Sequence, residues 1–137
     1  MRNRKNERGA AAVEFALVFP LVIMLLISVI EFSRLWNIQA TISDSARIAA
    51  RSAAVYWNDP NLDDDEIIAA AKADATGIPS FVDWDSTTID VTLSCDSTEK
   101  VATSEVNVTP GSFSSWFSSA IGSPITLTAV GEMPCGG

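Results

Sequence analysis

Residues 8–20 read R-G-A-A-A-V-E-F-A-L-V-F-P, and one carboxylate, Glu14, stands inside an apolar run that continues to Ile30. A carboxylate in hydrocarbon costs roughly 2.5–3.5 kcal/mol at the bilayer centre, so its presence calls for a partner charge, a task, or a position close to the interface. Few other groups could do chemistry. Histidine is absent, which removes the commonest general base and the commonest zinc ligand, and with them Ser-His-Asp, Cys-His and His-metal sites. No G-x-S-x-G motif and no Gly-rich phosphate loop occurs, so the sequence points away from an enzyme and carries no cofactor signature. Asp59, Asn61, Asp63 and Asp65 alternate as calcium ligands do, but the sixth place of such a loop would be Asp64 instead of glycine and the twelfth Ala70 instead of glutamate. Capping of a following helix explains them better, and no metal site is expected.

The two cysteines, Cys95 and Cys135, do not form a C-x-x-C pair. In a domain outside the cytoplasm they are expected to form a disulfide, which by closing about 40 residues would contribute roughly 4 kcal/mol.

These residues must be positioned by two kinds of structure. The first is a helix. Residues 10–30 carry no charge but Glu14, and at 1.5 Å rise per residue they cover about 31 Å, the thickness of a bilayer core. Arg2, Arg4, Lys5 and Arg8 precede the run, whereas beyond Arg51 the cations are Lys72 and Lys100 against many acids, within a net charge of −8. The positive-inside rule then sets the N-terminus in the cytoplasm and the body outside, in a single-pass arrangement. Secretory cleavage is not expected, because E-F-S-R-L-W-N follows the run and offers no small-x-small site. An acidic body also excludes a nucleic-acid partner, which needs a cationic face.

Past the span, Leu35, Ile38, Ile42, Ala46, Ala49 and Ala53 recur at helical spacing, and Asp44 stands three residues before Arg47, the spacing of a helix-surface ion pair. One helix from about Ala10 to about Val55 is expected, its stripe facing either another helix or the chain's own body. Pro20 should kink the span.

The second kind of structure is a small sheet. After D-D-D-E, the run I-I-A-A-A-K-A-D-A reads as a short helix capped by Asn61 or Asp63 and stopped by Gly77 and Pro79. Ile89, Val91 and Leu93 alternate with polar residues in a strand over 87–94; further strands are expected over about 101–109 and over 125–130. Between the last two, Phe113, Trp116, Phe117, Ala120 and Ile121 share one helical face suited to covering a sheet. If the third strand lies beside the first, parallel to it, Cys95 and Cys135 emerge at one end within bridging distance.

The fold expected is therefore α+β: a long N-terminal helix, transmembrane and then continuing outside, followed by a small antiparallel or mixed β-sheet body with short helices. Its divisions are a basic cytoplasmic leader at 1–9, a transmembrane helix at 10–33, its extension at 34–56 and an extracytoplasmic body at 57–137.

R-G-A-A-A-V-E-F, the apolar span containing Pro20, E-F-S-R and then S-D-S-A-R-I-A-A-R-S-A-A together resemble the TadE-like family of the tight-adherence (Flp) pilus systems of bacteria. The resemblance covers about residues 8–54. It implies a minor pilin, or pseudopilin, in the inner (cytoplasmic) membrane, whose leader is removed by a prepilin peptidase cutting after Gly9, so that Ala10 becomes the new N-terminus. Glu14 would then be a subunit-docking residue, meeting the Ala10 ammonium of a neighbouring subunit. Other pilus subunits and the Tad secretion machinery are the implied partners, and incorporation into the pilus the implied fate. The alternative is an unprocessed single-span envelope scaffold that docks a partner through its outer body.

Overall fold

A computed structural model describes residues 4–76, 82–96, 98–111, 119, 122 and 125–135, with side chains from residue 9 onward. The architecture is α+β: a helix Arg4–Tyr56 (α1), a helix Asp64–Ala75 (α2), and strands Thr88–Ser94 (β1), Val101–Val108 (β2) and Leu127–Pro134 (β3). The chain forms two compact units, Met1–Arg34 and Leu35–Gly137.

The first unit is helix. It begins at Arg4, inside the expected leader, and continues through Pro20. Proline has no N–H, so the Ala16 carbonyl lacks its helical donor. Leu17, Leu21, Leu25 and Val29 are exposed along this stretch, and Phe15 and Phe19 stack one turn apart, with ring centroids 5.2 Å apart at 29°.

The second unit takes up the rest of α1. The stripe predicted from spacing is buried there: Ile38, Ile42, Ala46, Ala49 and Ala53 belong to one core with Ile67, Ala71 and Ala75 of α2 and the inner face of the sheet. The stripe thus serves the chain's own body. Burying side chains such as Ile38 and Ile42 stabilises by about 1.5–3 kcal/mol each. Two serines fasten α2 to α1: Ser45 Oγ donates to the Ala75 carbonyl at 2.7 Å and Ser52 Oγ to the Asp74 carboxylate at 2.7 Å. At the other end of α2, Asp63 is the cap. Its carboxylate accepts from Glu66 N at 2.8 Å while Glu66 Oε2 accepts from Asp63 N at 3.2 Å, a reciprocal capping box. Asn61 does not cap; its N and Nδ2 both donate to Asp59 Oδ1.

The sheet is antiparallel throughout, in the order β1-β2-β3. Of the antiparallel and mixed sheets expected, the antiparallel one forms, and the third strand does not lie beside the first. β2 separates them, because the inner positions of β2 (Ala102, Ser104, Val106, Val108) are the most completely buried of the sheet, and a strand so covered takes the centre. Alternation sets the inner face in rows: Ile89, Val106 and Ala129; Val91, Ser104 and Gly131; Leu93, Ala102 and Met133. The outer face carries Thr88, Asp90, Thr92, Glu105, Thr128 and Glu132. β3 also begins later and runs four residues beyond the expected end at Val130, passing through Gly131. Glycine usually weakens a strand, and here it answers a close approach. A Cβ on Gly131 would lie 2.8 Å from the Arg47 nitrogen and nearer still to the Ala46 carbonyl, so α1 rests on β3 main chain to main chain. Gln39 Nε2 adds a bond to the Thr128 carbonyl at 3.1 Å. The expected stop at Gly77 and Pro79 and the aromatic face Phe113, Trp116, Phe117, Ala120 and Ile121 lie outside the described residues.

Candidate functional site

Gly9, Ala10 and Glu14 all stand on the first unit's helix and are all exposed. Around Gly9 a side chain would meet nothing within 4 Å. Residues four apart on a helix are surface neighbours, with Cβ atoms about 5–6 Å apart, so Glu14 lies one turn above Ala10 on the same side. Its carboxylate has no hydrogen bond or ion pair among the described residues. Chemically, this is a carboxylate without a counter-charge beside the point where a new amine would arise if the chain were cut before Ala10. The helix containing it, Gly9–Tyr56, includes a stretch long and apolar enough to cross a membrane, none of it buried by the rest of the chain.

Residues 9–51 match the model of a protein family described as TadE-like protein. This segment of the chain is similar to that family. No curated protein and no solved structure matches the chain. The TadE-like segment lies wholly within α1, opening on Gly9 and closing on Arg51. It therefore holds both the exposed apolar stretch and most of the part of α1 that enters the core of the second unit, from Ile38 to Ala49, whereas Ala53, α2 and the sheet fall beyond it.

Cys95 and Cys135 are joined, with Cα atoms 5.5 Å apart. The route differs from the one expected. Each cysteine directly follows an outer strand, Cys95 after Ser94 and Cys135 after Pro134, and both of those residues pair with Val101 at the start of β2. Cys135 N donates to the Lys100 carbonyl at 2.9 Å, and Lys100 adopts φ 49° just before β2. The two outer strands thus converge past the point where the central strand begins, and the disulfide closes over that end. Residues 97–100, S-T-E-K, spell S-x-x-K. Ser97 is outside the described residues, and Lys100 is in left-handed backbone instead of on a helix, where residues three apart would face each other.

No group of His, Cys, Asp or Glu able to hold a metal occurs among the described residues. Asp59, Asp63 and Asp65 do not converge, since Asp59 and Asp63 are engaged in local turn and cap bonds. The expected Asp44–Arg47 ion pair is not formed; both side chains reach into solvent from an exposed face of α1. Sequence reasoning missed Gly131, which governs how closely α1 and the sheet approach, and Ser104, whose fully buried hydroxyl finds no partner among the described residues. A glycine embedded in T-A-V-G-E-M was the available signal for the former; nothing in the sequence distinguishes the latter from the polar residues of an outer face.

Proposed function

We propose that the chain is a minor pilin (pseudopilin) or assembly component of a Flp/Tad-type adhesion pilus. The single span anchors it in the cytoplasmic membrane, with residues 1–9 inside and the disulfide-closed body outside. A prepilin peptidase cuts between Gly9 and Ala10, and the Ala10 ammonium of one subunit meets Glu14 of the next. Each charge alone would be penalised in lipid, whereas removed from water together they set a register between neighbours. The role is structural, with no reaction catalysed and no cofactor. The observation that supports this reading is the TadE-like match opening on Gly9, with an unpartnered Glu14 one turn above Ala10.

One observation favours a second reading. The helix is unbroken from Arg4 through Gly9 into Ala10, and a peptidase needs an extended strand in its cleft, so the helix must unwind locally before cleavage. Glycine eases this by about 1 kcal/mol relative to alanine. If that opening does not occur, the chain acts as an unprocessed single-span scaffold docking its partner through the body. Terminal sequencing of protein purified from membranes containing the peptidase decides between them. Ala10 at the N-terminus in the parent and retention of Met1–Gly9 in Gly9→Leu support the pilin; an intact leader in the parent supports the scaffold.

A further inference from the structure

Within the second unit, β3 runs alongside α1 in the same sense. Gln39 Nε2 donates to the Thr128 carbonyl at 3.1 Å, and Gly131 lies against Ala46 and Arg47. From Gln39 to Ala46 the helix rises about 10.5 Å, and from Thr128 to Gly131 the strand rises about 10 Å, so the two keep pace. Leu127 then falls level with Trp36 and Asn37. Here the end of β2 and the start of β3 form a base: Val108 pairs with Leu127, and the Thr109 and Thr126 hydroxyls are hydrogen-bonded at 3.3 Å. Trp36 is 68% exposed. Charge largely avoids this end of the unit. Leu35–Ser43 and Val106–Gly131 contain no charged residue, whereas the turn at the opposite end of β1 and β2 carries Asp96, Glu99 and Lys100. The exceptions are Asp83 and Asp85, exposed just before β1, and β1 lies two strand spacings, about 9.6 Å, from β3.

We propose that this base rests in the outer headgroup layer of the membrane, on a zwitterionic phospholipid surface. The inference rests on the reading above that α1 spans the membrane, with its apolar stretch ending near residue 33. Trp36 and Asn37 then stand about 4.5–6 Å beyond the hydrocarbon, inside a headgroup layer about 5–7.5 Å thick on each side. An indole favours that layer, because its ring is apolar and its N–H seeks a polar partner. The exposed hydroxyls of Thr109, Thr126 and Thr128 can exchange hydrogen bonds with headgroups, and no charge has to be desolvated beside them. Asp83 and Asp85 select the lipid. An anionic surface repels them, while the ammonium of a phosphatidylethanolamine headgroup complements them; Arg34, half-buried, is the nearest cation along α1 and does not outweigh both. The part of α1 beyond the span is therefore no stalk. It lies along the body, which stands on the lipid with the Cys95–Cys135 end directed outward.

The test uses the full chain in vesicles of phosphatidylethanolamine and phosphatidylcholine, with a nitroxide amino acid introduced at Thr126, Asp96 or Leu25, all exposed. Collision of the nitroxide with a water-soluble nickel chelate is read by spin resonance. The label at Thr126 should be at least several-fold less accessible to the chelate than the label at Asp96, and Trp36→Asp should bring Thr126 close to the Asp96 value. Replacing half of the lipid by phosphatidylglycerol should raise accessibility at Thr126. Equal accessibility at Thr126 and Asp96 overturns the proposal, as does a Thr126 label that Trp36→Asp leaves unmoved; deeper burial of Thr126 on the anionic lipid overturns the choice of a zwitterionic surface. The Leu25 label separates the two readings. If it is shielded from the chelate and open to oxygen, the span is in place and failure at Thr126 sinks this inference alone. If Leu25 is open to the chelate, the membrane anchor fails and takes the inference with it.

Discussion

Gly131→Ala tests whether α1 and β3 touch through their main chains. Two effects of opposite sign compete. Gly131 does not have positive φ, so alanine can adopt its backbone, and lower freedom in the unfolded chain should stabilise by about 0.4–1 kcal/mol. Against this, the new Cβ would lie 2.8 Å from Arg47 N and closer to the Ala46 carbonyl. Neither obstacle is a side chain that can turn aside; the helix itself must lift from the sheet by more than half an ångström. Overpacking of this kind costs about 1–3 kcal/mol, and a main-chain obstacle puts it at the upper end. The net expectation is a loss of roughly 2 kcal/mol. Urea unfolding of the full chain in detergent, followed by fluorescence of Trp57 and Trp84, which pack against the core, measures it. Gly111→Ala is the control, since a Cβ there meets nothing within 4 Å, and it should be neutral or slightly stabilising. Gly131→Ala as stable as the parent, or more so, would refute the close approach. So would rescue by trimming Ala46 to glycine, because its Cβ is not the obstacle.

Three further outcomes are expected. Replacing both Cys95 and Cys135 by serine should lower stability by roughly 4 kcal/mol, from the loop entropy of a 40-residue separation, and reduction of the parent should act alike in the same urea titration; a loss under about 1 kcal/mol would contradict the role assigned to the bridge. Ser104→Ala should raise the thermal midpoint, with a gain of about 1 kcal/mol, because it removes a buried hydroxyl without a partner among the described residues; a loss would mean the hydroxyl is bonded. Glu14→Gln should leave the protein cleaved and membrane-bound but absent from the assembled pilus, whereas Val18→Ala should assemble normally; equal co-purification with pilus components for both would return Glu14 to an interfacial residue of a lone helix.

Periodicity made α1 and the faces of the strands legible, because it records which side of an element meets the core. Ile38, Ile42, Ala46, Ala49 and Ala53 announced a buried stripe, and Ile89 and Val91 an inward face, before any partner was known. Strand order was not legible for the same reason. Alternation says which way a side chain points and nothing about which strand lies next, and the segment between Val108 and Leu127 is long enough for a crossover or for a return beside β2. The cysteines pair whichever order the strands take, because both lie at one end of the sheet in either order. The strand expected to end at Val130 runs on through Gly131, whose importance lies in what approaches it.

The candidate site divides along the same line. Glu14 is conspicuous in the sequence as a carboxylate in an apolar run, and Gly9 enters only through the resemblance of R-G-A-A-A-V-E-F to the TadE-like family. Asp44 and Arg47 read in the sequence as a helix-surface ion pair, since charged residues at helical spacing look like any solvated face. Their meaning depends on which side of α1 the chain itself consumes. Once the stripe from Ile38 to Ala53 is committed to the core, a partner can reach this part of the helix only through the remaining face.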